Sequence, residues 1–253
     1  MKKIALNKIF VCVSMIICTM FFTSCIRKKQ DNGKMLTKEI KVTPFQDLFL
    51  MGNATVNLIP GDTFKVVVKG KEKFVKEVTM KVENGVLIID EKDHNVGGKG
   101  ELTFGNFNFS DYRAEVYVTM PTLRNIRQEG NSDIHIVKPM KGDSVMFDIQ
   151  GNSSINIAEL TSKTFKLNID GNSSVNVEAL TADRTNVGIF GNSSMDINFV
   201  NAGDAQIGIE GNAFVSLRGT TKTEPICTVN GNGSINNKTV RCQKKVSNQL
   251  VKQ

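Results

Sequence analysis

The sequence is short of the residues that build metal centres. It contains two histidines and five cysteines, and three of the cysteines lie in the first 25 residues. No Cys/His spacing typical of a metal site occurs, so the sequence predicts neither a metal nor another cofactor. The histidines, His94 and His135, stand alone in the sequence, and we assign neither a role.

Two further features are missing. No basic stripe is interleaved with aromatic residues, which argues against nucleic acid as a partner. The longest apolar run near the start, from Ile9 to Phe22, is too short for a membrane-spanning helix. The sequence therefore predicts neither a nucleic-acid-binding protein nor a transmembrane one.

The first residues follow the plan of a signal peptide. Lysines precede the apolar run, and Thr23-Ser24-Cys25 follows it. This triplet resembles a bacterial lipobox, which implies cleavage before Cys25 and acylation of its thiol, for example by palmitate; an ordinary secretory cleavage nearby is the alternative. Acyl chains hold a domain on a membrane without a spanning segment. The prediction is an outer-membrane lipoprotein on the cell surface or the periplasmic face.

The rest of the chain divides by its patterns. Residues 1–24 are the predicted signal peptide, 25–38 a lipidated basic tether, and 39–121 a less regular β-rich part. Residues 122–243 are the predicted regular coils, and 244–253 a polar tail. Within the N-terminal part, strands are predicted over 39–42, 45–51, 54–59, 64–68, 74–82 and 86–90, the last two joined by an Asn-Gly hairpin turn.

A repeated phrase dominates the second half. Gly-Asn-Ser-Ser-Ile-Asn-Ile begins at Gly151, and its copies begin every 20 residues thereafter, up to Gly231. A looser copy begins at Gly130, and an isolated one begins at Gly52. Apolar residues alternate with polar ones on both sides of each Gly, which predicts two short strands per repeat with a corner between them. This period is typical of an all-β, right-handed parallel β-helix with coils of about 20 residues.

Stacked coils place equivalent residues in columns. Glycine at a corner adopts positive φ without a Cβ penalty, and asparagine amides can hydrogen-bond along a stack. We therefore interpret one glycine column and one asparagine column as structural corners: Gly151, Asn152, Gly171, Asn172, Gly191, Asn192, Gly211, Asn212, Gly231 and Asn232. A second column, containing Asn156, Asn176 and Asp196, is predicted to point outward, and these side chains are candidate binding residues.

Aromatic residues cluster between the two halves, at Phe104, Phe107 and Phe109. One interpretation is a projecting loop that offers ring faces to a sugar or a partner protein. The other is a strand that caps the open end of the solenoid.

Two cysteines remain in the mature chain. Cys227 occupies a position that is apolar in the other repeats, so a buried free thiol is predicted. A disulfide with Cys242 is the alternative in an oxidising compartment.

Several segments together resemble one family. The segments Phe-Leu-Met-Gly-Asn-Ala-Thr-Val, Asn-Gly-Val-Leu-Ile-Ile and Val-Thr-Met-Pro-Thr-Leu, followed by successive Gly-Asn-Ser-Ser coils, resemble the bacterial putative auto-transporter adhesin, head GIN domain family. The resemblance covers roughly residues 40–240. It implies a β-helical fold on a cell-envelope lipoprotein of Bacteroidetes type.

Three functional hypotheses follow. The first is a non-catalytic adhesin that binds a glycan or protein along a β-helix face. The second is a polysaccharide lyase or hydrolase, but the outward acids Asp148, Asp170, Asp196 and Glu210 do not occupy equivalent offsets in neighbouring coils, as paired acid/base work requires. The third is a calcium-binding β-roll, for which only Asp196 stands at the right place. We predict the adhesin and no enzyme activity.

Overall fold

The computed structural model describes residues 33–91 and 113–242, and the described residues from Lys34 onward belong to one compact unit. The described part is nearly all β, with one short helix, α1 (Glu72–Val75). Sixteen strands are described: β1 Met35–Ile40, β2 Asp47–Gly52, β3 Thr55–Pro60, β4 Lys65–Lys71, β5 Val78–Glu83, β6 Val86–Glu91, β7 Glu115–Met120, β8 Asn125–Gly130, β9 Asp133–Ile136, β10 Met140–Ile157, β11 Leu160–Gly191, β12 Ser194–Ala202, β13 Asp204–Gly211, β14 Phe214–Thr221, β15 Ile226–Asn230 and β16 Ser234–Arg241.

The strands form a parallel β-solenoid of about 6 turns, with equivalent residues about 20 positions apart, as the sequence period predicts. In the pairing of β10 with β11, Gly151 lies opposite Gly171, and Ile157 lies opposite Val177. Alternate side chains point inward, so that the aliphatic residues of all coils share one buried core. Phe147 and Phe165 meet edge-on within it, with ring centroids 5.8 Å apart.

Each regular coil contains more than the two predicted strands. Residues 140–144 pair in parallel with residues 160–164, which adds a third short strand segment. Met140 and Leu160 are buried there, but Ser162 is buried as well. Because a serine takes an inward place, the apolar alternation is broken, and the sequence pattern alone did not predict this segment.

The isolated upstream copy of the repeat is part of the same stack. Strand β2 pairs in parallel with β8, and Gly52 lies directly opposite Gly130. Strand β3 likewise pairs with β9. Two coils that neighbour each other in space are therefore 78 residues apart in sequence, which is why no 20-residue period connects them.

The intervening chain ends the stack on the N-terminal side. Strands β6 and β7 pair in parallel with β2 and β3 and so add one outer coil. Antiparallel strands then follow: β5 on β6, β4 on β7, and β1 on β4. Antiparallel partners occupy the edge to which another parallel coil would add, and so they cap the solenoid.

Three N-terminal predictions are settled by these elements. The hairpin turn is confirmed, with φ of 50° at Asn84 and 76° at Gly85. The strand predicted over 74–82 is wrong at its start, because Phe74 and Val75 lie in α1, where their side chains are buried. Strand β1 begins at Met35, four residues before the predicted strand start at Glu39, because it pairs with β4.

Other predictions concern residues outside the described part. These are the signal peptide with Cys25, the cluster of Phe104, Phe107 and Phe109, and the polar tail 244–253.

The prediction of a buried thiol at Cys227 is wrong, since the residue is exposed and free. It lies in β15, which pairs with β13 on one side, and no coil among the described residues stacks on its other side. An inward position in the last described coil is therefore not covered. Cys242 is also a free cysteine, so the alternative disulfide is not formed.

Candidate functional site

The repeated phrase forms a corner, and its glycine is required by the backbone. Gly171 has φ of 140°, a conformation that L residues rarely adopt. A Cβ on Gly171 would lie 2.1 Å from the carbonyl oxygen of Gly151 in the preceding coil. Gly151 stands in the same relation to Gly130, also at 2.1 Å. Glycine here permits the coils to stack at strand spacing, and nothing in this column needs a ligand to explain it.

The asparagine after each glycine forms a hydrogen-bonded ladder. The Nδ2 of Asn172 donates to Oδ1 of Asn152 at 3.0 Å, and Asn192 donates to Asn172 at 3.2 Å. Asn152 donates in turn to Asn131 at 2.8 Å, and Asn212 to Asn192 at 3.0 Å. The side chains are exposed, but each connects one coil to the next, so this column contributes to stacking.

The side chains of the two serines in the repeated phrase point to opposite sides of the strand. The first serine points inward and is buried; Ser193 Oγ donates to the carbonyl oxygen of Gly171 at 3.3 Å. Ser153 Oγ donates to Oε1 of the fully buried Gln128. The second serine points outward, and Ser174 and Ser194 are exposed. Glycine, asparagine and the first serine thus have structural roles, whereas the second serine is available to a ligand.

The outward residues after the corner form one surface, which we call the polar face. It consists of two columns in continuous register: Ser154, Ser174, Ser194 and Phe214; and Asn156, Asn176, Asp196 and Ser216. Stacked strands place successive members of a column about 4.8 Å apart. A groove of about 590 Å³ runs along the corner edge of this face, and Asp133, the serine column, the asparagine ladder and Phe214 line it. Most of the residues that line this open groove are serine and asparagine, although more of the lining surface is apolar than polar.

The sequence analysis named one of the two columns of the polar face and missed the other. Asn156, Asn176 and Asp196 are in register as predicted, and all three are partly exposed. The serine column lines the groove itself, and Phe214, 63% exposed, takes the place of a serine in it. An aromatic residue at a repeat position that is otherwise Ser is a sequence signal that could have identified Phe214.

Two charged or titratable side chains adjoin the asparagine column. His135 precedes Asn156 in register, and its Nδ1 lies 3.4 Å from Asn156 Nδ2. At the other end, Arg218 pairs with Asp196 at 3.3 Å. Both side chains of this ion pair are half exposed, so the pair is readily exchanged for contacts with a ligand.

The four outward acids named in the sequence analysis do not face one another. Asp148 lies opposite Asn168, and Asp170 lies opposite Gln150. Glu210 lies opposite Phe190, and Asp196 opposite Asn176 and Ser216. None of these four acids faces another acid in a neighbouring coil, as paired acid/base chemistry needs. Among residues 33–91 and 113–242, no group of three His, Cys, Asp or Glu side chains is placed to hold a metal ion.

The comparison with protein families agrees with this architecture. The family model described as putative auto-transporter adhesin, head GIN domain, matches residues 44–238. The chain belongs to this family. The matched range includes the isolated coil, the regular coils and the N-terminal cap except strand β1, so the head GIN domain comprises nearly the whole described solenoid.

Solved structures resemble this head GIN domain in fold. A putative adhesin from Bacteroides fragilis is 18% identical, with a TM-score of 0.58 over 82% of this chain and 97% of that one. A putative adhesin from Parabacteroides distasonis is 20% identical, with a TM-score of 0.50 over 83% of this chain and 98% of that one. At such identities the likeness shows the fold alone. No curated protein matches the sequence.

Three described side chains of the head GIN domain have a raised pKa, and one of them, Tyr117, lies in register with the asparagine column, beyond Asn57 and His135. The hydrogen bond that Tyr117 donates to Glu115, at 2.5 Å, raises the pKa of Tyr117 to about 12. The ion pair with Asp47 raises the pKa of Arg124. Partial burial, and then the nearby Glu224, raise the pKa of the Cys227 thiol. Because a raised pKa leaves less thiolate at neutral pH, Cys227 is a weak nucleophile.

No helix in the described part of the chain has the length and apolar character needed to cross a membrane.

Proposed function

We propose that the protein is a non-catalytic cell-envelope lipoprotein that binds a glycan or a protein along its polar face. One observation carries the proposal: a groove of about 590 Å³ presents the same hydroxyl and amide groups coil after coil. The corner motif does not require the outward serine, asparagine and Phe214 side chains. These regularly spaced side chains are therefore available to bind a ligand. The family and its structural relatives bear the name adhesin, which supports binding rather than catalysis.

The geometry of the polar face fits an extended ligand. A chain lying along the solenoid axis would meet a new hydroxyl and a new amide about every 4.8 Å. Ring stacking on Phe214 at one end would add an apolar contact to these hydrogen bonds. Many weak polar contacts on a rigid scaffold favour a long ligand over a small molecule, because each additional coil adds contacts while the translational and rotational freedom of the ligand is lost only once.

Lipid anchoring through Cys25 completes the proposal. Acyl chains on this residue would hold the solenoid at the outer membrane. Labelled palmitate should enter the full chain and not the Cys25→Ala variant, which should leave the membrane fraction. Labelling of both forms would contradict this anchor.

Binding by the polar face is tested with a triple variant, Asn156→Ala/Asn176→Ala/Asp196→Ala. The purified full chain is applied to arrays of immobilised glycans and extracellular proteins. We expect the triple variant to lose most of the wild-type signal while its circular dichroism spectrum is unchanged. The matched control is Asp143→Ala/Lys163→Ala/Asp183→Ala, which removes exposed charges outside the polar face. Equal binding by both triple variants would refute this face as the binding surface.

The location is tested by treating intact cells with a protease, with a periplasmic protein as control. Cleavage of the chain would support a surface adhesin. Protection of the chain would contradict adhesion outside the cell.

A further inference from the structure

A second outward surface lies on the strand segment that precedes each corner, and it contains an unusual exposed aromatic residue. Phe190 is 47% exposed. Asp170 and Phe190 immediately precede the stacked corner glycines 171 and 191, and Phe190 lies opposite Glu210. The ring is therefore flanked by exposed carboxylates one coil to either side, about 4.8 Å away along the stack.

Two glycines leave the backbone beside this ring without side chains, and we call this bare backbone the floor of the surface. Gly188 and Gly208 lie opposite each other in neighbouring strands, at positions that carry Asp148 and Asn168 in the two preceding coils. Unlike the corner glycines, neither has positive φ. A Cβ on Gly188 would lie 3.6 Å from Cε2 of Phe190, and one on Gly208 would lie 3.5 Å from Oγ1 of Thr228. Both are ordinary van der Waals distances, so the fold accepts a side chain at either position.

Glycine inside a strand weakens the strand, and it often marks a place where a ligand approaches the backbone closely. Here two such glycines adjoin an exposed ring, and neither is required by a positive φ or by a close approach of neighbouring backbone. We name the surface formed by Asp170, Gly188, Phe190, Gly208 and Glu210 the Phe190 platform. It combines an apolar ring, a bare backbone floor and two hydrogen-bond acceptors at its edges.

We propose that the Phe190 platform binds a sugar ring of a neutral or amino-bearing glycan. A pyranose has an apolar C–H face, which suits stacking on an aromatic ring, and a rim of hydroxyl donors, which suits the flanking carboxylates. An ammonium group on the sugar would also be attracted by the ring and by both acids. The same acids repel uronic acids and other anionic sugars. Within the described residues, neither Asp170 nor Glu210 is engaged in an ion pair that would neutralise it.

A protein partner suits the platform less well. The centres of protein interfaces are depleted of charged residues and contain several large anchors. The Phe190 platform has one ring between two acids, which is a pattern for a small ring with hydroxyl groups. This inference concerns a different surface from the polar face, so it goes beyond the proposed function and can hold if that proposal fails.

The test measures binding of the purified full chain, by calorimetry, to neutral oligosaccharides of glucose, mannose, xylose and N-acetylglucosamine, to a chitosan oligosaccharide, and to a galacturonate oligosaccharide of equal length. We expect at least one neutral or amino-bearing chain to bind and the galacturonate chain not to bind. Phe190→Ala should weaken binding about tenfold or more, which is about 1.4 kcal/mol. Gly208→Thr should weaken it similarly by filling the floor, while the melting temperature stays at or above that of the wild type, because threonine favours strands.

Val137→Ala is the control, since it removes an exposed apolar side chain that belongs neither to the Phe190 platform nor to the polar face. It should leave this binding unchanged, as should the Asp143→Ala/Lys163→Ala/Asp183→Ala variant. Loss of binding in Phe214→Ala with retention in Phe190→Ala would assign glycan binding to the polar face and overturn the platform. Binding of none of the oligosaccharides, or of the galacturonate chain alone, would also overturn it. The proposal would likewise be overturned if Phe190→Ala abolished binding of a protein and of no glycan.

Discussion

One substitution type should have opposite effects at two positions in the same coil. Gly171→Ala places a Cβ 2.1 Å from a backbone oxygen at φ of 140°. The disfavoured backbone conformation costs roughly 1–3 kcal/mol. The displaced carbonyl group also weakens hydrogen bonds to the neighbouring coil, at about 1 kcal/mol each. A loss of roughly 3–5 kcal/mol in the free energy of unfolding follows, which corresponds to a fall in melting temperature of roughly 6–20 °C.

Gly188→Ala is the matched substitution, because its Cβ meets nothing closer than 3.6 Å and its φ is not positive. Alanine restricts the unfolded chain, so we expect stability to rise by roughly 0.4–1 kcal/mol. Thermal unfolding followed by circular dichroism, with urea unfolding as a second measure, compares both variants with the wild type. Equal melting temperatures for the two variants would refute the distinction between a glycine that the backbone needs and one that it does not.

Two further predictions concern the ladder and the N-terminal coils. Asn172→Ala removes two side-chain hydrogen bonds between coils and should lower stability by about 1–2 kcal/mol in urea unfolding; an unchanged midpoint would show that the ladder does not contribute. Glu115→Gln should return the pKa of Tyr117 from about 12 toward its ordinary value of 10.0, as seen in the absorbance of tyrosinate. Because the folded-state pKa is raised, the stability linked to Tyr117 is present below pH 10 and declines as pH rises toward 12. The Glu115→Gln variant should lack this decline. A decline of equal size in both proteins would contradict the assignment of the raised pKa to Glu115.

The distinction between the two kinds of glycine also bears on function. A corner glycine is explained by the stacking of backbones, so its recurrence in every coil carries no information about a ligand. Gly188 and Gly208 interrupt a column that holds side chains in other coils. Phe190 and Phe214 likewise depart from the repeat, because each places an aromatic ring beside polar residues of its column. Departures from the repeat, rather than the repeat itself, are therefore where we place recognition.

The sequence by itself determined the solenoid and its register. A 20-residue period, two alternating apolar runs and a Gly-Asn corner are local and repeated. Each coil therefore has the same preference for two strands joined by a corner, and stacking on neighbouring coils stabilises it. The direction of the second asparagine column follows from strand alternation alone, and the hairpin at Asn84-Gly85 follows from turn chemistry.

Only the tertiary structure decided features that depend on contacts distant in sequence. The coil at Gly52 joins the stack across 78 residues, and β1 becomes a strand only because β4 lies beside it. Cys227 follows the inward pattern of the repeat and is nevertheless exposed, because burial requires a further coil on its open side. The repeat marks Gly171 as a corner glycine in the sequence, but only the φ of Gly188 and its distance from neighbouring atoms show that the backbone does not require a glycine there.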